Sequence, residues 1–177
     1  MQDKKSISLT IKPTNLCNFR CKHCFNGEHL YDKELLSIEL ACKTLELVAK
    51  KYNTIKVTFH GGEPTLVGKK YYEDLFAYEK ELKKKYDVSF HHIFQTNGFL
   101  LDEKFVDMLI SEKTLISISF DGLHNDILRS NTEEVYKVIE LVQSKNGRLR
   151  VFCVETAKSI LNLKTTYEWF KSKNIIL

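Results

Sequence analysis

Three cysteines stand within eight residues of one another, at Cys17, Cys21 and Cys24 in the run KPTNLCNFRCKHCFN. Thiolates are soft ligands that hold iron–sulfur clusters, and the C-x3-C-x2-C spacing lets one loop bind three irons of a 4Fe-4S cluster. The fourth iron then has no protein ligand and is open to a substrate or a cofactor. The spacing therefore predicts a 4Fe-4S cluster with one open iron.

A structural zinc site is the alternative for these cysteines, because zinc takes four ligands and His23, His29 or His60 could complete the set. Zinc signatures usually contain a second paired C-x2-C or H-x3-H, which the sequence lacks, so the cluster is favoured. Cys42 and Cys153 fall in a helix pattern and a strand pattern, which favours small buried apolar side chains over ligands.

Three further polar motifs each follow an apolar, β-branched run that is predicted to be a strand. They are HGGEPTL at 60–66, QTNG at 95–98 and SFDG at 119–122. Ligands of parallel α/β sheets gather at the carboxyl ends of the strands, so these loops and the cysteine loop should meet at one rim. Gly61 and Gly62 are expected to let main-chain groups approach a bound cofactor closely, although a plain turn would also use them.

Together, the cysteine loop and HGGEPTL resemble the motifs of the radical S-adenosylmethionine (radical SAM) enzymes. In that family the cluster loop follows the first barrel strand and a Gly-Gly-Glu motif follows the second. The resemblance covers essentially the whole chain and is closest to the branch with C-terminal SPASM or twitch domains, which includes peptide and protein maturases. It implies that the three cysteines bind a 4Fe-4S cluster and that S-adenosylmethionine is cleaved reductively. The resulting 5′-deoxyadenosyl radical would abstract a hydrogen from a substrate, in peptide or protein modification.

The resemblance also implies a set of residues that bind S-adenosylmethionine: His23, Gly61, Gly62, Glu63, Thr96, Asn97, Ser119 and Arg129. The Gly-Gly-Glu motif would contact its amino group, and Ser119 and Arg129 its carboxylate, which a guanidinium binds through two parallel hydrogen bonds. His23 takes the place of the bulky residue that usually packs near the adenine. The loop LHNDILR is shorter than the family's His-Asp-x-x-Arg stretch, so a surface arginine is the alternative for Arg129.

Apolar runs alternate with amphipathic stretches at the spacing of βα units. Strands are predicted at 7–12, 55–60, 88–95, 115–120 and 149–155, and helices at 37–52, 70–86, 103–111, 133–144 and 159–173. Because such crossovers are right-handed, successive strands should lie in parallel. The predicted fold is therefore α/β, a partial (β/α) barrel with about five of the family's six βα units.

One domain over residues 1–177 is predicted, since no Pro-, Gly- or Ser-rich linker interrupts the pattern. The last residues, 174–177, resemble the start of a sixth strand, so this radical SAM core domain is expected to be incomplete at its C-terminal end. A radical SAM enzyme acting on a small molecule and a truncated, non-catalytic remnant remain as alternative functions.

Composition limits the compartment and the partners. No segment approaches the roughly 18–20 apolar residues that cross a bilayer, and the N-terminus lacks a signal peptide, so a cytoplasmic location without a membrane partner is expected. Five cysteines, an odd number, favour reduced thiols and a metal site over a disulfide framework. An exposed cluster would favour an anaerobic setting. The net charge of +4 comes from scattered lysines, so nucleic acid is not an expected partner. The expected partners are a peptide or protein substrate and an electron donor such as flavodoxin or ferredoxin.

Overall fold

The computed structural model describes residues 5–157 and 159–175, and within them one five-stranded sheet forms. All neighbouring strands are parallel and follow one another in chain order. The strands are β1 Ser6–Ile11, β2 Thr54–Phe59, β3 Ser89–Thr96, β4 Leu115–Ser119 and β5 Leu149–Phe152. The predicted α/β partial barrel is confirmed.

The helices are α1 Ile38–Ala49, α2 Lys69–Tyr86, α3 Glu103–Ser111, α4 Asn125–Leu128, α5 Thr132–Ser144 and α6 Leu163–Ser172. Helix α1 begins after Ser37, whose hydroxyl accepts a hydrogen bond from the Leu40 amide and caps the helix. The short α4 was not predicted. The last helix was predicted from 159, but α6 begins at Leu163 because the 3-10 turn Ile160–Asn162 precedes it.

One face of the sheet forms the core with the helices. Sequential strand order with right-handed crossovers places every crossover helix on the same side. Along β2, Ile55, Val57 and Phe59 are fully buried on that side. Helices α1 and α2 contribute Leu45 and Leu75, which are also fully buried. Burial of this apolar face fixes which side chains of each strand point the other way.

The opposite face carries most of the polar strand residues together with apolar ones such as Phe152, and we call it the open face. Its members include Lys56 on β2, Gln95 on β3, Ser117 on β4 and Arg150 on β5. Lys56 is exposed, and Gln95 and Arg150 are half-buried. The two faces of the sheet therefore differ: the core face is mainly apolar, with His92 and Thr96 buried in it, and the open face carries the lysine and arginine of the strands.

Strand β5 was predicted to run through residue 155 but ends at Phe152. The Val154 amide donates to the Asp121 carboxylate at 2.8 Å instead of to a neighbouring strand, and this ends the ladder. Of the predicted sixth strand, Ile175 is buried and its amide donates to the Phe170 carbonyl, while residues 176 and 177 lie outside the described residues. In the described part of the chain, no helix has the length and apolar character needed to cross a membrane.

Candidate functional site

A cavity of about 340 Å³ lies at the carboxyl ends of the strands, between the loops that follow all five of them in the described chain. Ten of the eleven predicted site residues line it: Cys17, Cys21, His23, Cys24, Gly61, Gly62, Thr96, Asn97, Ser119 and Arg129. The predicted convergence of the motifs at one rim is therefore what the structure shows. Glu63 is the predicted residue that does not line the cavity.

The cysteine loop is fixed by backbone hydrogen bonds at both ends. The Cys17 amide donates to the Leu30 carbonyl at 3.1 Å, and the Lys22 amide donates to the Leu128 carbonyl at 2.9 Å. Between them, the Phe19 side chain is buried in the core. The loop thus presents its thiols from a fixed backbone, which lowers the entropy lost on binding a cluster.

Burial affects the pKa of two of the three thiols. Burial raises the pKa of Cys17 to about 11, although the Phe19 amide donates to its sulfur at 3.4 Å and favours the thiolate. Burial also raises the pKa of Cys21, and the Arg129 charge opposes that rise. Cluster irons bind the deprotonated thiolate, so cluster assembly at these residues would release protons.

All three thiols line the cavity, and among the residues that the structure describes no three His, Cys, Asp or Glu side chains are grouped closely enough to hold a single metal ion. A zinc ion needs all its ligands within about 2.0–2.3 Å of one point, whereas in a 4Fe-4S cluster each cysteine binds its own iron.

Gly61 and Gly62 are required by protein packing. A β-carbon on Gly61 would lie 2.2 Å from the Thr14 carbonyl oxygen, and one on Gly62 would lie 2.2 Å from the Asn15 and Leu16 carbonyl oxygens. Gly61 also has φ of +128°, a conformation that side chains disfavour. The expected close approach is thus made by the backbone of the cysteine loop, which occupies the space that side chains would fill.

The glycine turn is also hydrogen-bonded to that loop. The Gly62 amide donates to the Thr14 carbonyl at 3.0 Å, and the Glu63 amide donates to the Leu16 carbonyl at 2.8 Å. Among the described residues, no hydrogen bond uses the Gly62 carbonyl, so it is an acceptor left for a ligand at the edge of the cavity.

The Glu63 side chain points into the protein, so its carboxylate does not line the cavity that the other predicted site residues share. Its carboxylate is fully buried and accepts four hydrogen bonds from described residues. The donors are the Thr65 amide at 3.0 Å, the Thr65 and Thr96 hydroxyls at 2.7 Å each, and the Asn97 amide at 2.7 Å. Burial raises the pKa of the carboxyl, and these donors oppose the rise. Glu63 therefore joins the glycine turn to the end of β3.

Asn97 and Ser119 are oriented by neighbouring polar side chains. The Asn97 amide group donates to the Asn18 side chain at 2.8 Å and lies 3.9 Å from the Cys17 sulfur. The Ser119 hydroxyl accepts from the Gln95 amide group at 3.0 Å. The sequence interpretation had not assigned Gln95 to the site, although it directly precedes Thr96 in QTNG and lines the cavity.

Arg129 is buried at the site, which excludes the alternative of a surface arginine. Its side chain is 9% exposed, and its Nε donates to the Asp121 carboxylate at 2.8 Å. One terminal nitrogen lies 3.9 Å from the Cys21 sulfur. The short loop is held by the buried Asn125, whose side chain accepts from the Asp121 amide at 3.1 Å and donates to the Ser130 carbonyl at 3.1 Å.

The two histidines of the rim differ in their hydrogen bonding. Burial lowers the pKa of both His23 and His60. The His60 Nδ1 accepts from the Gly61 amide at 2.7 Å, so this side chain stabilises the glycine turn. The His23 side chain lines the cavity, and its Nδ1 is buried without a hydrogen-bond partner among the described residues. An unused nitrogen beside three thiols fits a site that holds a polar cofactor.

Comparisons with known proteins agree with this geometry. A family model described as the Radical SAM superfamily matches residues 11–155. The cysteine-type anaerobic sulfatase-maturating enzyme of Clostridium perfringens is 28% identical over 183 residues, which cover 95% of this chain and 49% of that protein. The chain thus spans about half the length of the curated relatives it matches.

Two solved structures also match this chain in fold. Polyhistidine-tagged anSMEcpe with bound AdoMet (S-adenosylmethionine) superposes with a TM-score of 0.90 at 26% identity, over 97% of this chain and 50% of that chain. Native anSMEcpe with bound AdoMet and Cp18Cys peptide superposes with a TM-score of 0.89 at 26% identity, over 97% of this chain and 49% of that chain.

Proposed function

This chain belongs to the radical SAM superfamily, and we propose that it is the core of an enzyme that cleaves S-adenosylmethionine reductively to modify a peptide or protein. The observation that carries the proposal is the single cavity that holds the three cysteines, the glycine turn, Ser119 and Arg129. The predicted resemblance to the peptide-maturing branch is confirmed by the sulfatase-maturating relatives. A solved relative that holds a peptide supports a peptide substrate over a small molecule.

Cys17, Cys21 and Cys24 would hold three irons of a 4Fe-4S cluster, and the cavity beside them would hold S-adenosylmethionine. When bound, this pair supplies the electron transfer and the carbon–sulfur cleavage that yield a 5′-deoxyadenosyl radical. The protein residues bind and orient. The free Gly62 carbonyl is an acceptor suited to an amino group, and the unpartnered His23 ring offers a flat face and a polar atom.

Arg129 and Ser119 would bind the carboxylate of the cofactor. The Asp121 carboxylate holds Arg129 through Nε, so the terminal nitrogens of the guanidinium keep N–H groups for an anion. Because the guanidinium is already fixed, less conformational entropy is lost when the carboxylate binds. Glu63 acts indirectly, by fixing the turn that presents Gly62.

The remaining partners are part of the same proposal. An electron donor such as flavodoxin or ferredoxin would reduce the cluster. The described cysteines form no disulfide, which supports a reducing compartment such as the cytoplasm.

Anaerobic reconstitution with iron and sulfide tests the proposal. We expect about four irons per chain, and loss of most of this iron in each of Cys17→Ala, Cys21→Ala and Cys24→Ala. Cys42→Ala and Cys153→Ala are matched controls and should keep the iron. With dithionite and S-adenosylmethionine, the reconstituted protein should form 5′-deoxyadenosine. Stoichiometric zinc uptake without iron, or equal iron loss in the controls, would contradict the assignment.

A further inference from the structure

The open face of the sheet carries an excess of positive charge. Lys56 lies on β2 and Arg150 on β5, and Lys12 directly follows β1. No strand in the described chain contains Asp or Glu. The strand sequences are SISLTI, TIKVTF, SFHHIFQT, LISIS and LRVF. Any charge that the strands place on this face is therefore positive.

The alternation of side chains places these cations on one surface. Ile11, Val57 and Val151 are buried in the core beside them, so Lys12, Lys56 and Arg150 point away from the helices. Lys12 and Lys56 are exposed, and Arg150 is half-buried. All three thus face the side of the sheet that the helices leave uncovered.

These charges are not neutralised within the described structure. Among residues 5–157 and 159–175, no carboxylate lies within 4.0 Å of Lys12, Lys56 or Arg150, whereas the ion pairs that do form involve other residues. The Arg150 guanidinium lies 4.6 Å from the centre of the Phe152 ring, and its Nε donates to the Ser117 hydroxyl at 3.3 Å. Arg150 is held in place and keeps its terminal N–H groups for an anion.

The open face leads directly to the cofactor cavity. Gln95, Ser119 and Phe152 belong to the open face and also line the cavity. Gln95 pairs in register with Ser117, and Ser117 pairs with Arg150. A molecule with one end at the cavity therefore meets Arg150 first, and it reaches Lys56, which pairs in register with His91, when it extends towards the amino ends of the strands.

We propose that the open face binds the substrate through acidic residues, so that the substrate is a peptide segment carrying Asp or Glu near the residue presented to the cavity. The inference rests on the proposed function and adds the chemical class of its substrate. Carboxylates match both the forked guanidinium of Arg150 and the ammonium of Lys56. A peptide with Lys or Arg at the same places meets like charge and is rejected.

Isothermal titration calorimetry on the anaerobically reconstituted protein tests this proposal. The probes are a short synthetic peptide with two Glu residues and its counterpart with Gln at both positions. We expect the Glu peptide to bind about tenfold more tightly in low salt, and this advantage to shrink in about 0.5 M NaCl because exposed charges are screened. Equal affinities for the two peptides would overturn the inference.

A pair of double variants locates the effect. In Lys56→Gln with Arg150→Gln, the advantage of the Glu peptide should fall below about threefold, while the affinity for the Gln peptide stays the same. Lys43→Gln with Lys104→Gln removes the same charge from exposed helix positions and should keep the full advantage. An equal loss in both double variants would show a net-charge effect and overturn the inference. If the first double variant fails to fold, the salt dependence of the unaltered protein and the single variant Lys12→Gln decide instead. An advantage of the Glu peptide that neither salt nor Lys12→Gln reduces would overturn the inference.

The failure of this inference is distinguishable from failure of the proposed function. Formation of 5′-deoxyadenosine by the unaltered protein is measured without peptide. Cleavage of S-adenosylmethionine with no preference between the peptides overturns the inference alone. A preference for the Glu peptide without cleavage supports the acidic site and contradicts the radical chemistry. Binding of neither peptide overturns the inference and indicates that another protein segment covers this face.

Discussion

Removal of the Glu63 carboxylate should destabilise the rim of the sheet more than any exposed carboxylate does. Glu63 accepts hydrogen bonds from two backbone amides, those of Thr65 and Asn97, and from two threonine hydroxyls. In Glu63→Ala the hydroxyls can rotate to other acceptors, but the two buried amides cannot. An unsatisfied buried donor costs about 1–3 kcal/mol, and the vacated volume adds to that cost, so we expect a loss of about 3–5 kcal/mol in the free energy of unfolding.

Glu63→Gln removes the charge of the side chain but keeps its shape. Its side-chain oxygen can replace the oxygen that accepts three of the hydrogen bonds, but its amide group would then face the Asn97 amide, donor against donor. Loss of the buried charge removes a desolvation cost and offsets part of this penalty. The expected destabilisation is therefore smaller, about 1–3 kcal/mol.

Urea unfolding of the metal-free protein under reducing conditions, followed by circular dichroism, measures both values. Glu81→Gln on the exposed side of α2 is the control and should lie within about 0.5 kcal/mol of the unaltered protein. If the Glu63→Gln variant were as stable as the control, the assignment of Glu63 as the residue that joins the two loops would be refuted.

Three other predictions address neighbouring groups. Arg129→Ala should weaken binding of S-adenosylmethionine by about 1.5–3 kcal/mol in calorimetric titration while the iron content stays the same, and unchanged affinity would show that the guanidinium does not reach the cofactor. Gly62→Ala should lose most of its iron, because its β-carbon would collide with two carbonyl oxygens of the cysteine loop. Lys104→Ala, at an exposed position of α3, is the control and should keep its iron. Burial and the charges of nearby carboxylates raise the pKa of Cys153 to about 12, so its thiolate fraction at pH 8.5 is small and grows only as the pH rises towards that value. Iodoacetamide should therefore modify Cys153 in the folded protein about 10²–10³-fold more slowly than in urea, as followed by mass spectrometry, and equal rates would contradict the burial.

The sequence predicted the location of the site better than the direction of its side chains. Each motif follows a strand, and the strands are parallel, so convergence at one rim follows from local pattern and topology alone. The direction of Glu63 depends on Thr96 and Asn97, which lie more than thirty residues away and become neighbours only when β2 pairs with β3. Its place in the motif could not reveal that its carboxylate points inward.

The end of β5 was unpredictable for the same reason. Alternation of apolar residues continued beyond Phe152, and it gave no sign that the Val154 amide would bind a carboxylate from the loop after β4. The packing role of the glycines could not be predicted either, because the sequence shows that a side chain is missing but does not show what fills its space. In each case the missing information is a long-range contact.

Asp121 connects the parts of this site that the proposals treat separately. One carboxylate oxygen accepts from the Val154 amide and the other accepts from the Arg129 Nε, each at 2.8 Å. The same side chain therefore fixes the end of the strand that carries Arg150 and orients the guanidinium proposed to bind the cofactor. Under the proposed function, a radical formed at the cofactor would have to meet the substrate within a fraction of an ångström of the correct position, and one anchor for both gives a relative placement that separate loops would not hold.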